Sequence, residues 1–187
     1  MVDRAADAAK ALDRDARERV ILVNEEDEEI GAAGKLEAHR EGRLHRAFSI
    51  FVLNGRGELL LQRRARGKYH SGGLWTNTCC GHPRPGETTE AAAHRRLREE
   101  MGFDCPLRPV FHFVYEAELD AGLREHELDH VLVGRYEADP SPDPEEAEAW
   151  RWTGLDAVAR DVEERPEEYT VWFRIALPRL IRSDGAP

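Results

Sequence analysis

Residues 81–103 read GHPRPGETTEAAAHRRLREEMGF. Ala93, Leu97 and Met101 recur at i, i+4 and i+8, which places them on one face of a helix. Thr88 or Thr89 offers a side-chain oxygen to cap its start, and Gly102 is placed to stop it. The stretch is a loop, a helix and a second loop. Glu87 follows Gly81 after five residues, and Arg95, Arg96, Leu97, Arg98, Glu99, Glu100, Met101 and Gly102 follow Glu87 after seven. Arg96 and Glu100 are one helical turn apart and face the same way. Two readings are open at this point: a surface ion pair worth roughly 0.3–0.5 kcal/mol, or a cation and a carboxylate aimed together at a ligand.

Working outward, apolar runs on both sides carry strand patterns. RVILVN (19–24) and RAFSIFVL (46–53) come first, the second joined through NGRG to ELLLQR as a hairpin. VFHFVYEAEL (110–119) and HELDHVLVGRYEA (126–138) follow the helix, with apolar residues at alternate positions. Pro140, Pro142 and Pro144 mark a loop, and a short strand is expected around Trp150 to Trp152. Two helices close the chain, one from Asp156 and one with Pro166 in its first turn, carrying Tyr169, Trp172, Phe173 and Ile175. This order predicts an α/β (α+β) sandwich with a mixed or antiparallel central sheet flanked by helices. Residues 19–182 read as one domain, residues 1–18 as a peripheral arm or helix, and residues 183–187 as a flexible tail.

The 187 residues carry 27 Lys and Arg against 37 Asp and Glu, a net charge of −10, with 41% hydrophobic and 34% charged side chains. A chain of this size buries about 70% of its extended surface, so it needs neither disulfide nor structural metal to fold. An acidic surface repels a phosphate backbone, which argues against a nucleic-acid partner, and an anionic small molecule needs local cations. Arg63, Arg64, Arg66 and Lys68 form such a cluster, although alone they would equally be a solvated face. No apolar run approaches the roughly 18 residues of a membrane span, and residues 1–20 interleave charge where a signal peptide has an apolar centre. No membrane partner is expected, and the compartment is read as cytoplasmic. The three cysteines Cys79, Cys80 and Cys105 cannot all pair, which fits a reduced setting.

A second constellation gathers His39 and His45 in EAHREGRLH, His82 in WTNTCCGHP, and Glu125 and Glu127 in REHELDH. Two residues apart on a predicted strand, Glu125 and Glu127 face the same side. Structural zinc prefers four ligands, whereas a five-donor nitrogen and oxygen set suits a near-octahedral ion; manganese, magnesium and zinc are all compatible.

The spacing from Gly81 to Gly102 resembles the Nudix box, a loop, helix and loop unit that in hydrolases holds divalent metal against a diphosphate. Arg96 is the departure, standing where the hydrolase box has the first glutamate of its metal set. A cation there removes a metal ligand and supplies a phosphate contact. With magnesium on Glu100 and an anion on Arg96, the arrangement suits holding a diphosphate better than activating water against it.

From ILVNEEDEEIGAAGKLEAH to PEEYTVWFRIAL the chain resembles the type 1 isopentenyl-diphosphate isomerases, a Nudix-fold family. The most specific pieces are LHRAFS, LLLQRRARGK, LWTNTCCGHP, RRLREEMG and EHELDHV. The resemblance implies that Cys80 and Glu127 are the catalytic pair, and that His39, His45, His82, Glu125 and Glu127 ligate one divalent ion (Mn2+, Mg2+ or Zn2+). It implies that Glu100 and the carbonyl of Cys80 hold the Mg2+ arriving with substrate. It also implies that Lys35, Arg64, Lys68 and Arg96 bind the diphosphate, while Tyr115 and Trp172 line the hydrocarbon pocket. The interval from His39 to His45 is one residue shorter than in enterobacterial members, which the intervening loop has to absorb.

The implied reaction is a 1,3-proton shift between isopentenyl and dimethylallyl diphosphate. An unactivated alkene is a weak base, so the site needs an acid at one carbon, a base at another and stabilisation of the cation between them. Cys80 and Glu127 would serve from opposite faces; the residues alone do not say which protonates. Taken singly, Cys80 reads as a small buried hydrophobe and Trp172 beside Phe173 as a core aromatic. Two other classes match parts of the pattern. A Nudix diphosphate hydrolase would release phosphate and be indifferent to Cys80, and a metal-stabilised binding module would turn nothing over.

Overall fold

Strand β3 (His45–Leu53), sequence HRAFSIFVL, is buried almost throughout, the pattern of a strand covered on both faces. In the computed structural model of the chain, which describes residues 18–183 apart from Tyr69, Asp120 and Ala121, the sheet is organised around it. One edge of β3 pairs in parallel with β8 (Arg124–Arg135), from His45 opposite Glu127 to Leu53 opposite Arg135. The other edge is shared by β1 (Arg19–Val23), β6 (Cys79–Gly81) and β4 (Glu58–Arg64), all antiparallel. Beyond them, β2 (Glu29–Gly34) pairs β1, β7 (Leu107–Glu118) pairs β8, and both β5 (Trp75–Thr76) and β9 (Ala147–Gly154) pair β4. The sheet is mixed, as expected.

Alternation along β3 divides the core between two faces. Phe48, Ile50 and Val52 pack with Ala92, Ala93, Leu97 and Met101 of helix α2 (Thr89–Met101). Phe51 and Leu53 pack on the other face with Trp172, Phe173, Ala176, Leu177 and Leu180 of helix α4 (Val171–Arg182) and Val158 of helix α3 (Leu155–Glu164). Helix, sheet and helix form the expected α+β sandwich. Thr88 caps α2 by accepting from the Ala91 N–H at 3.1 Å, and Gly102 ends it at φ +73°. The NGRG hairpin also forms, with Asn54 Oδ1 accepting from the amides of Arg56 and Glu58.

Several boundaries differ from the sequence reading: β8 spans Arg124–Arg135 rather than 126–138, β9 is longer than the short strand expected around Trp150 to Trp152, and three further differences have a local cause. Strand β7 starts at Leu107 and runs through Pro109; among the described residues it pairs only with β8, and an edge strand tolerates a proline without an N–H. Pro166 opens a separate 3-10 turn (Pro166–Glu168) rather than the last helix. Tyr169 stays extended because it bridges to Trp75, and the Thr170 N–H donates to the Trp75 carbonyl, so the helix begins only at Val171. Strand β2 and helix α1 (Lys35–Glu41), in EIGAAGKLEAHRE, had no sequence prediction. The arm expected over residues 1–18 and the tail over residues 183–187 lie outside the described residues, apart from Glu18 and Ser183.

Candidate active site

Three imidazoles meet where α1, β3 and β6 come together. His39 lies on α1, His45 begins β3 and His82 follows β6. Their ring centroids are 4.9 Å (His39 to His45), 5.0 Å (His45 to His82) and 5.7 Å (His39 to His82) apart. Between His39 and His45 the chain turns at Gly42, which ends α1 in the left-handed conformation at φ +64°. Main-chain carbonyls hold the Nδ1 atoms, Lys35 O at 2.7 Å for His39 and Arg43 O at 2.8 Å for His45, which directs each Nε2 inward. Burial, and then His82 and His45, push the His39 imidazole down to about 3; burial also lowers His82. Neutral imidazoles are the form that binds metal.

The parallel β3 and β8 pairing carries Glu127 into this cluster. Its Oε1 is 2.8 Å from His82 Nε2 and 3.5 Å from His45 Nε2. Tyr115, opposite Glu127 on β7, places its hydroxyl 2.6 Å from Glu127 and 3.0 Å from Glu125. Burial raises the Glu127 carboxyl, but the neighbouring imidazoles of His45 and His82 outweigh it and hold the group well below the usual range. Glu125 is pushed well up by burial and by the charge on Glu127. Of the pair, Glu127 is therefore the stronger acid and Glu125 the weaker. His39, His45, His82 and Glu127 form one group of converging donor atoms, whereas Glu125 converges with His39 and with His70. His45 Nε2 is buried without a hydrogen-bond partner among the described residues, which, beside an ionised carboxylate, fits a divalent cation.

Cys79 and Cys80 differ sharply. Cys79 is fully buried among Phe48, Ile50 and Leu97, while Cys80, opposite Ser49, is half-buried and lines a cavity with Glu127 and Trp172. Burial, against the opposing pull of Arg64, pushes the Cys80 thiol up to about 12, so it carries its proton. Trp172 is both core and cavity wall. Its indole N–H donates to Asn77 Oδ1 at 3.2 Å, and Asn77 Nδ2 donates to the carbonyls of Cys79 and Ile50.

Cations line the same cavity. Arg64 lies over the Trp172 ring, 5.2 Å from its centroid, and its buried Nε has no hydrogen-bond partner among the described residues, a donor suited to an anion. Arg96 donates to Glu99 at 2.8 Å and to Glu100 at 2.5 Å, and its Nη2 is 3.2 Å from Glu146. The Arg96 and Glu100 pair is thus partly buried in the cavity wall rather than a solvated surface pair. A Cβ on Gly81 would press on Phe48 and on the Arg96 side chain at 3.3 Å, so the first glycine of the motif lets the arginine approach the strand. Gln62 donates to the other oxygen of Glu100 at 2.9 Å. Lys68 pairs with Glu146, and Lys35 with Glu18 at 2.9 Å. Every side chain expected in the substrate pocket except Tyr115, which sits behind the carboxylates, borders this one cavity.

Several neighbours were not read from the sequence. Glu18, Ser49 and His70 line the cavity, Glu146 holds Lys68 and Arg96, Asn77 anchors Trp172, and buried Asp129 accepts from Ser49 at 2.8 Å. Asn77 inside WTNTCCGHP, Ser49 inside LHRAFS and Asp129 inside EHELDHV lay within quoted motifs, whereas Glu18, His70 and Glu146 had no local signal.

Residues 43–173 match the family model for the NUDIX domain. The curated "Isopentenyl-diphosphate Delta-isomerase 2" of Aromatoleum aromaticum is 54% identical over 164 residues, 88% of this chain and 87% of that protein. The protein of the same description from Photorhabdus laumondii is 54% identical, over 89% of this chain and 94% of its own. Among solved structures, DR0079 from Deinococcus radiodurans superposes with a TM-score of 0.74 at 24% identity, over 87% of this chain and 98% of that one, which is a likeness of fold. A mixed sheet with the box helix on one face makes the class of protein a Nudix-fold one. Within that class, the chain belongs to the type 1 isopentenyl-diphosphate isomerase family.

Proposed function

We propose that the chain interconverts isopentenyl and dimethylallyl diphosphate in isoprenoid biosynthesis, with Cys80 and Glu127 as its proton carriers. The observation that carries this reading is the lining of one cavity, where a thiol and a carboxylate share a wall with an indole and a set of buried cations. Burial keeps the proton on the Cys80 thiol, while His45 and His82 hold the Glu127 carboxyl low, so the pair carries the single proton that an allylic shift delivers at one carbon and recovers at another. The Tyr115 hydroxyl orients Glu127. Trp172, fixed by Asn77, presents an indole to the developing tertiary cation, and the largely buried walls exclude the water that would capture it.

Lys35, Arg64, Lys68 and Arg96 bind the diphosphate and hold the alkene against the proton carriers. A divalent cation on His39, His45, His82, Glu125 and Glu127 would supply fixed positive charge that tunes the proton affinity of Glu127. Magnesium accompanying the diphosphate would be held by Glu100 and the Cys80 carbonyl, neutralising phosphate charge. Arg96 in place of a glutamate disfavours the hydrolase reading. No helix among the described residues is long and apolar enough to cross a membrane, and the three unpaired cysteines support a cytoplasmic setting. Incubating the purified protein with isopentenyl diphosphate and magnesium, then following the allylic product against released phosphate, tests the reading. Allylic product without phosphate supports it; phosphate release, or no turnover, contradicts it.

A further inference from the structure

We propose, building on that cation site, that His70 is a further donor to the histidine-cluster cation, completing a six-donor set with His39, His45, His82, Glu125 and Glu127. The donor atoms fall into two overlapping groups, His39, His45, His82 and Glu127 in one and His39, His70 and Glu125 in the other, each spanning no more than 4.8 Å. Two donors on opposite sides of an ion, each about 2.1–2.2 Å away, stand about 4.3 Å apart, so either group has the span of a single ion. His39 belongs to both. Its Nδ1 faces the Lys35 carbonyl at 2.7 Å, which leaves Nε2 as the one nitrogen available to a metal. One lone pair serves one ion, so the groups describe two halves of one site rather than two independent sites.

His70 is held in place for this role. Its Nδ1 lies 4.0 Å from Glu125 Oε1, and Glu125 shares the Tyr115 hydroxyl with Glu127, which ties both halves together. The ring stands edge to face on Trp172 at a centroid distance of 6.0 Å, and the His70 carbonyl accepts from Arg64 at 3.3 Å. The next residue, Ser71, sits at φ +52°, a left-handed conformation uncommon for serine and a mark of a chain held by its surroundings. Six nitrogen and oxygen donors favour a near-octahedral ion such as manganese over four-coordinate zinc. They also leave no coordination position for water, which suits a cation that supplies charge beside the reaction.

The test is cation binding without substrate. Mn2+ bound per chain and its dissociation constant, from competition with a chelator, are measured for the unaltered chain, His70→Ala and His70→Phe. The phenylalanine keeps a ring against Trp172 but has no nitrogen, and thermal melts of the cation-free proteins verify that both variants fold. The expected result is one cation per unaltered chain and at least about tenfold weaker binding in both variants. Unchanged affinity in His70→Phe overturns the assignment to His70, as do two cations per unaltered chain. An unaltered chain that binds no cation overturns the cation site itself.

Discussion

His45 and Glu127 are cross-strand partners at the start of the parallel β3 and β8 pair, and His45 Nε2 lies 3.5 Å from Glu127 Oε1. The register that builds the sheet therefore also joins the histidine cluster to the proposed proton carrier. His45→Ala should lower divalent-cation affinity by at least about tenfold and activity with it. In the unaltered chain a cation at 100 times its dissociation constant should add about 2.7 kcal/mol of stability. Metal analysis and melting with and without a chelator check both; full occupancy in His45→Ala would contradict the site.

The cation-free protein should show a pH signature of His39. Its imidazole titrates at about 3 when folded, against an ordinary value of 6.5. Between those values the unfolded chain binds a proton that the folded chain refuses, so this contribution is complete above pH 6.5 and is lost as pH falls toward 3. Glu125 and Asp129, pushed up by burial, act in the opposite sense, so the readout is a difference. Denaturant midpoints at pH 7 and pH 5 should fall less in His39→Leu than in the parent. An equal fall would show that His39 is not buried neutral.

Arg96→Ala should weaken substrate binding by roughly 1.5–3 kcal/mol, or about ten- to hundredfold, the range for a hydrogen bond to a charged group. The loss should appear mainly in KM, with some fall in kcat where diphosphate binding positions the alkene. Arg96→Glu would place a third carboxylate beside Glu100 and Glu146 and should not create a hydrolase. Steady-state kinetics with a phosphate assay decide; unchanged kinetics in Arg96→Ala, or rapid phosphate release by Arg96→Glu, would sink the assignment.

Asn77→Ala should act through Trp172. The amide joins the indole to the carbonyls of Cys79 and Ile50 from a fully buried position. Its removal strands those groups and should cost about 1–3 kcal/mol of stability. It should also lower kcat more than it raises KM, since the diphosphate contacts lie elsewhere. Chemical denaturation and kinetics on the same sample check this; a variant with only a raised KM would place Asn77 in the diphosphate pocket.

What could be read from the sequence was what local periodicity or a contiguous motif carries. Helix α2, its Thr88 cap and Gly102 stop, the β3 and β4 hairpin, and the existence of strands β7 and β8 follow from patterns within one segment. Cys80, Glu127 and the cation cluster followed from motif resemblance. Helix α1 escaped because GAAGKLEAHRE is rich in glycine and alanine and shows little apolar contrast. Tyr169 was misplaced because its bridge to Trp75 overrides helix propensity, a contact 94 residues away in the chain. His70, Glu146 and Glu18 reach the site only through tertiary packing, and no spacing along the chain marks them.

Cys80 and its neighbour offer the most direct test, since adjacent identical side chains lie in opposite settings. The rate of isopentenyl diphosphate isomerisation is compared in Cys80→Ala and Cys79→Ala. Cys80→Ala should be inactive with its fold and cation content retained. Cys79→Ala, cut into the packed core, should lose about 1 kcal/mol of stability and keep its activity. An active Cys80→Ala, or an inactive but folded Cys79→Ala, would contradict the placement of the proton carrier in the cavity.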